Sequence, residues 1–126
     1  MCENYKKLAV WRKGVELAVL VKDLTENYPT EERYGLISQM RRAAVSVPSN
    51  IAEGNGRIGQ RDYVRFLGMA RGSLYELQTE LAIACKSGYP TSDEIDSLIV
   101  EISKMLTAQI LQLQKNFVRE EVEAFN

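Results

Sequence analysis

The chain has 126 residues and a mass of 14.3 kDa, with 45% apolar and 26% charged residues. That composition excludes disordered and collagen-like chains and fits a single domain, residues 1–126, able to bury about two-thirds of its unfolded surface. A net charge of -1 and a pI of about 5.6 exclude indiscriminate coating of nucleic acid, although a local basic patch stays open.

Histidine is absent, which removes Ser-His-Asp and Cys-His catalysis and the usual imidazole ligands of transition metals. Cys2 and Cys85 are too far apart to suggest a disulfide framework, and Cys85 reads as a small buried apolar residue in a helical pattern. No apolar run approaches the ~20 residues that cross a bilayer, and MCENYKK lacks the apolar segment of a signal peptide. The expectation is a cytoplasmic protein without membrane partner, cofactor or metal. Gly54-Asn55-Gly56-Arg57-Ile58-Gly59 follows a helical pattern and lacks the Lys-Ser/Thr ending of a phosphate loop, so it reads as a turn.

In chain order, Val10, Gly14, Leu17, Val21, Leu24 and Tyr28 recur at alternating spacings of four and three, the stripe of a first helix. Trp11, Val15 and Ala18 widen it, so this helix should touch more than one neighbour. Pro29 stops it. Thr30 then offers an N-cap, with Glu31 and Glu32 at the positive end of the next helix. The second helix is expected over 33–53, with Leu36, Met40, Ala43, Val47 and Ile51 on its core side. Arg42, Ser46, Ser49 and Glu53 form a polar stripe on its other face. Pro48 removes one backbone donor and predicts a kink, with Ser46 or Arg41 free to take the Ala44 carbonyl. Gly54 and Gly56 supply left-handed closure.

Tyr63, Leu67, Ala70, Leu74, Leu77, Leu81 and Ala84 give the third helix a regular seam and make it the central packing element. Gly68 and Gly72 each cost up to ~1 kcal/mol relative to Ala, so a neighbouring group should approach closely there. Gly88 and Pro90 end the helix, and Thr91-Ser-Asp-Glu94 reads as a capping box. Ile95, Ile99, Ile102, Leu106, Ile110, Leu113 and Phe117 line the last helix. Four long helices with short connections predict an all-α protein, an up-down-up-down antiparallel four-helix bundle.

The chain resembles the proteins encoded in intervening sequences of bacterial 23S rRNA genes, the four-helix-bundle or S23-type family. The likeness covers nearly all of it. It is densest in LAVW (8–11), ERYGL (32–36), RRAAVSVPSNIAEGNGR (41–57) and DYVRFLGMARGSLYEL (62–77). Gly59 departs from the Ser or Thr expected to cap the third helix. The resemblance implies a bundle that assembles into a ring, typically a homopentamer, with no known enzymatic activity. More distantly similar are accessory proteins of diversity-generating retroelements, which form such rings and engage a reverse transcriptase and nucleic acid. RNA or a nucleic-acid-processing protein is therefore the expected partner besides the chain itself, and no small-molecule substrate is expected. The alternative is a protein-interaction module that binds no nucleic acid.

Residues 33–72 hold seven arginines against Glu53 and Asp62, a local charge of +5, and no lysine occurs between Lys22 and Lys86. Guanidinium forks without lysines suggest assigned partners. Arg41, Arg42 and Arg71 are expected to pair with Glu53, Glu76 or Glu80 within or between subunits, with Ser49 in the same polar network. Arg57, Arg61 and Arg65 are expected at a bundle end, facing solvent or phosphate. The plainer reading makes all of these weak surface ion pairs. Ser49 and Asn50 beside Pro48 lack an activating base, so helix hydrogen bonding outweighs a nucleophilic role. Trp11, Tyr63 and Phe66 could stack bases, but their spacing favours packing.

Overall fold

A computed structural model describes residues 4–125; Cys2, named above as unpaired, lies outside them. The described residues contain four helices, α1 (Ala9–Thr25), α2 (Leu36–Asn55), α3 (Gln60–Lys86) and α4 (Asp93–Phe125), with short 3-10 turns at Asn4–Lys7 and Thr30–Glu32. Cross-helix partners run in opposite directions along the α1–α2 and α2–α3 pairs. Gly14 meets Pro48 while Thr25 meets Arg41, and Gly54 meets Phe66 while Ser46 meets Ser73. Lys13 bridges α1 to Glu101 of α4. The expected all-α antiparallel bundle is the observed fold.

Most residues of the stripes read from the sequence lie in the core, but Leu24, Leu36, Tyr63, Leu113 and Phe117 are only partly buried, and Ile37 takes the place expected of Leu36. Leu17, Met40, Leu67, Leu74, Ile99 and Leu106 are fully buried or nearly so, each contributing on the order of 1.5–3 kcal/mol from removal of apolar surface from water. Pro48 does not break α2, which runs unbroken from Leu36 to Asn55. Its ring packs on Gly14, where an added Cβ would stand 3.2 Å from the Pro48 Cβ, so α1 and α2 meet closely there. Ser49 Oγ donates to the Val45 carbonyl at 2.9 Å and Asn50 Nδ2 to the Ser46 carbonyl at 2.8 Å, side-chain bonds typical of polar residues inside a helix. Neither Arg41 nor Ser46 turns to Ala44; they bond Thr25 and Ser73 respectively.

Several expected termini differ. α2 begins at Leu36, because the backbone amides of Glu32, Arg33 and Gly35 are spent in i to i+3 bonds to Pro29, Thr30 and Glu32, and Thr30 caps nothing. The Glu32 carboxylate accepts instead from Tyr89 Oη at 2.8 Å, across the bundle. Gly54 and Gly56 are not left-handed; among the described residues the only glycine with positive φ is Gly88, at 80°. There the Tyr89 amide bonds the Ala84 carbonyl and the Gly88 amide the Cys85 carbonyl, each at 3.0 Å, the paired closure that a glycine at C′ permits. The cap of α4 is Ser92, whose Oγ accepts from the Ile95 amide at 3.2 Å; Thr91 and Glu94 do not form the expected box. Gly59, at φ -96° and ψ 145°, holds the N-cap of α3 without a side-chain bond.

Candidate functional site

The arginine-rich middle of the chain separates into two settings. At the α2–α3 corner, Arg57 bridges Glu53 at 3.3 Å and Arg65 bridges Asp62 at 3.0 Å, while Arg61 pairs with Glu121 of α4. Both Arg57 and Arg65 lay their guanidinium groups 4.7 Å from the centre of the Phe66 ring, and Arg61 does the same over Phe117. Aromatic rings attract flat cations through their negative faces, so each of the three is held by a carboxylate and a ring together. They are exposed, as expected of them. Phe66, nearly buried beneath two arginines, is not available for base stacking.

Arg41 and Arg71 do not meet the expected carboxylates within the chain. Arg41 Nε donates to Thr25 Oγ1 at 2.8 Å and its Nη2 to the Lys22 carbonyl at 3.2 Å; Arg71 Nη1 donates to Thr107 Oγ1 at 3.3 Å. The reason is placement: Glu53 is taken by Arg57 one turn along the helix. Arg42, Ser49 and Glu76 lie on the exposed surface. Glu80 was expected to answer an arginine, but it is only 4% exposed and its Oε1 has no hydrogen-bond partner. Burial, reinforced by the nearby Glu76 charge, raises its pKa to about 7, since desolvation disfavours the charged form. Tyr63, expected on the core seam, is half-buried and serves as a polar node. Its Oη accepts from Gln109 Nε2 at 2.8 Å and from Asn55 Nδ2 at 3.3 Å.

Two expectations about small residues fail for one geometric reason, the direction of the side chain around the helix axis. Cys85 is exposed, one position past buried Ala84. Gly68 and Gly72 have nothing within 4 Å of an added Cβ, because they lie on the outer face of α3, opposite Leu67, Ala70 and Leu74.

What sequence reasoning missed is an apolar groove of about 430 Å³ between α1 and α2, floored by Ala18 and Pro48 and walled by Trp11, Val15, Val19 and Val45, with Lys22 and Arg41 at its edge. Val19 and Val45 are 52% and 53% exposed. The widening of the α1 stripe by Trp11, Val15 and Ala18 was its only signal. Among the described residues no group of three His, Cys, Asp or Glu side chains could hold a metal ion, and no helix is long and apolar enough to cross a membrane.

Residues 6–108 match the family described as 23S rRNA-intervening sequence protein. The chain belongs to this family. Its fold is also similar to the crystal structure of a protein with unknown function from the S23 ribosomal protein family of Bacteroides thetaiotaomicron VPI-5482. That likeness has a TM-score of 0.72 and 24% identity, and covers 81% of this chain and 98% of that one. A comparison with curated proteins finds no match. The stretch 41–57, one of the four that carry the resemblance, forms the α2 wall of the groove and the Arg57 corner.

Proposed function

We propose that this protein is a non-catalytic cytoplasmic scaffold that assembles head to tail into a ring, a homopentamer in the form the family resemblance implies, and engages RNA or a nucleic-acid-processing protein as an assembly. The observation that carries this reading is the open groove on the α1–α2 side. Its complement lies on the outer face of α3, where Gly68 and Gly72 leave open space and Tyr75 and Ile83 are half-exposed apolar side chains at helical spacing from them. Glycine weakens a helix, and within the chain these two have no packing reason. A second copy seated on that flat stripe supplies one. Groove and stripe lie on different sides of the bundle, and such a heterologous contact closes into a ring when its rotation permits.

Arg57, Arg61 and Arg65 support the nucleic-acid arm. Their carboxylate partners are exposed, and exposed pairs are worth only about 0–1 kcal/mol, so exchange for phosphate costs little. The same pairing also favours the second reading, an interaction module for proteins alone, because the three cations are already neutralised. Light scattering on the purified chain tests the assembly: the expected result is a homo-oligomer larger than a dimer, whose mass Val19→Glu with Val45→Glu lowers to a dimer or less without loss of fold. A wild-type monomer would overturn the ring. RNA affinity that falls linearly with log salt and is lost in an Arg57→Glu, Arg61→Glu, Arg65→Glu variant supports the phosphate contact. Unchanged RNA affinity of that variant at low salt removes it, and copurification of a protein without nucleic acid favours the second reading.

A further inference from the structure

α4 is apolar on two opposite faces, and only one is covered. Ile95, Ile99, Ile102, Leu106 and Ile110 are buried in the bundle. Along the far side of the same helix, Leu111, Val118 and Val122 are each more than half exposed and Phe125 is almost fully exposed. With Lys115 between them, these positions step by four, three, four and three, the repeat that keeps a seam on one side of a helix facing a partner helix. The stretch lies past residue 108, where the match to the family ends.

Charge along the stretch is split. Lys115 and Arg119 come first, then Glu120, Glu121 and Glu123. The last turn of α4 carries no basic residue, so glutamates sit near the negative end of the helix dipole, the unfavourable sign. We propose that the C-terminal part of α4 is a self-pairing surface, and that two copies of this chain join there with their helices antiparallel. A register centred on Val118 sets Val118 against Val118 and Leu111 of one copy against Phe125 of the other. It also sets Lys115 opposite Glu121, the carboxylate that Arg61 reaches from α3. The basic stretch of each copy then lies along the acidic stretch of the other, near the helix end that needs positive charge. Parallel pairing would stack like charge on like. This contact uses neither the α1–α2 groove nor the outer face of α3 and is independent of the ring.

The test uses the full chain with Cys2→Ser and Cys85→Ser, and single cysteines placed by Leu111→Cys, Val118→Cys or Phe125→Cys under mild oxidation. The expected result is a self-linked dimer for Val118→Cys alone, and a mixed dimer when the Leu111→Cys and Phe125→Cys proteins are combined. These links should persist with Val19→Glu and Val45→Glu present, which separates this contact from the ring. Self-linking at all three positions would overturn the antiparallel arrangement, and absence of linking at all of them would overturn the pairing. As a second readout, Val118→Glu with Val122→Glu should halve the mass measured by light scattering without loss of helical circular dichroism; an unchanged mass overturns the proposal.

Discussion

Gly54 lies against Phe66 so closely that a Cβ added to it would stand 2.7 Å from the Phe66 Cβ and 3.0 Å from Cδ1 of Tyr63. The contact holds the last turn of α2 against α3 beside their connecting loop and sets Phe66 beneath Arg57 and Arg65. A methyl group there has to push two packed aromatic residues aside. Gly54→Ala should therefore destabilise the bundle by about 1–3 kcal/mol. Gly68→Ala and Gly72→Ala meet open space within the chain and should raise helix stability by up to about 1 kcal/mol each. Thermal melts of the three variants, at concentrations where the chain is dissociated, check the contrast.

Glu80 makes stability depend on pH. Its folded pKa, raised from 4.5 to about 7 by burial and then by Glu76, means that the folded state binds the proton more tightly than the unfolded chain. The stabilisation is complete below the unfolded value and is lost as pH rises through the folded one, amounting to about 3 kcal/mol by linkage. Urea midpoints should fall between pH 5 and pH 8, and Glu80→Gln should flatten that fall and be the more stable protein at pH 8. A midpoint that rises over the same range would contradict the protonated, buried carboxyl.

Thr25 is a buried hydroxyl with both capacities in use. It donates within 2.8 Å of the Val21 carbonyl and accepts from Arg41 Nε at 2.8 Å. Thr25→Val keeps the shape and removes both bonds, leaving Nε of the half-buried Arg41 without its acceptor while Nη2 keeps the Lys22 carbonyl, at a cost of about 1–2 kcal/mol. Thr25→Ser should recover most of the loss in denaturant unfolding.

Tyr28 and Tyr89 tie the two loops at one end of the bundle. Tyr28 Oη donates to the Pro90 carbonyl at 3.0 Å, Tyr89 Oη donates to Glu32, and the two rings stand 5.3 Å apart. Tyr28→Phe and Tyr89→Phe should each cost about 1 kcal/mol. A double-mutant cycle should reveal coupling between them, because the rings touch.

The helices were legible where a stripe of apolar residues extends over several turns. Leu67, Leu74 and Leu77 occupy the core as their spacing requires, and Gly88 closes α3 as its backbone chemistry requires, whereas α1 ends at Thr25, short of Pro29, and leaves Tyr28 outside the helix. The α2 start was misplaced by three residues because i to i+3 bonds consumed the donors a cap would have served. Arg41 and Arg71 could be singled out by type but not matched to partners, since Thr25 and Thr107 are not the acceptors that charge alone suggests. The groove at Val19 and Val45 was hidden because an exposed valine and a core valine look alike in a helical pattern.

By itself the sequence determined the number, order and core-facing sides of the helices, because helix periodicity and chain termination act over a few residues along one strand of backbone. Only the tertiary structure decided that Gly54 serves a close contact while Gly68 and Gly72 serve none within the chain. It alone decided that Glu80 is buried without a partner and that the end of α4 shows a second apolar face. Those outcomes depend on the distance and rotation between elements remote in the chain, where a shift of one residue around a helix turns a side chain by about 100° and exchanges core for surface.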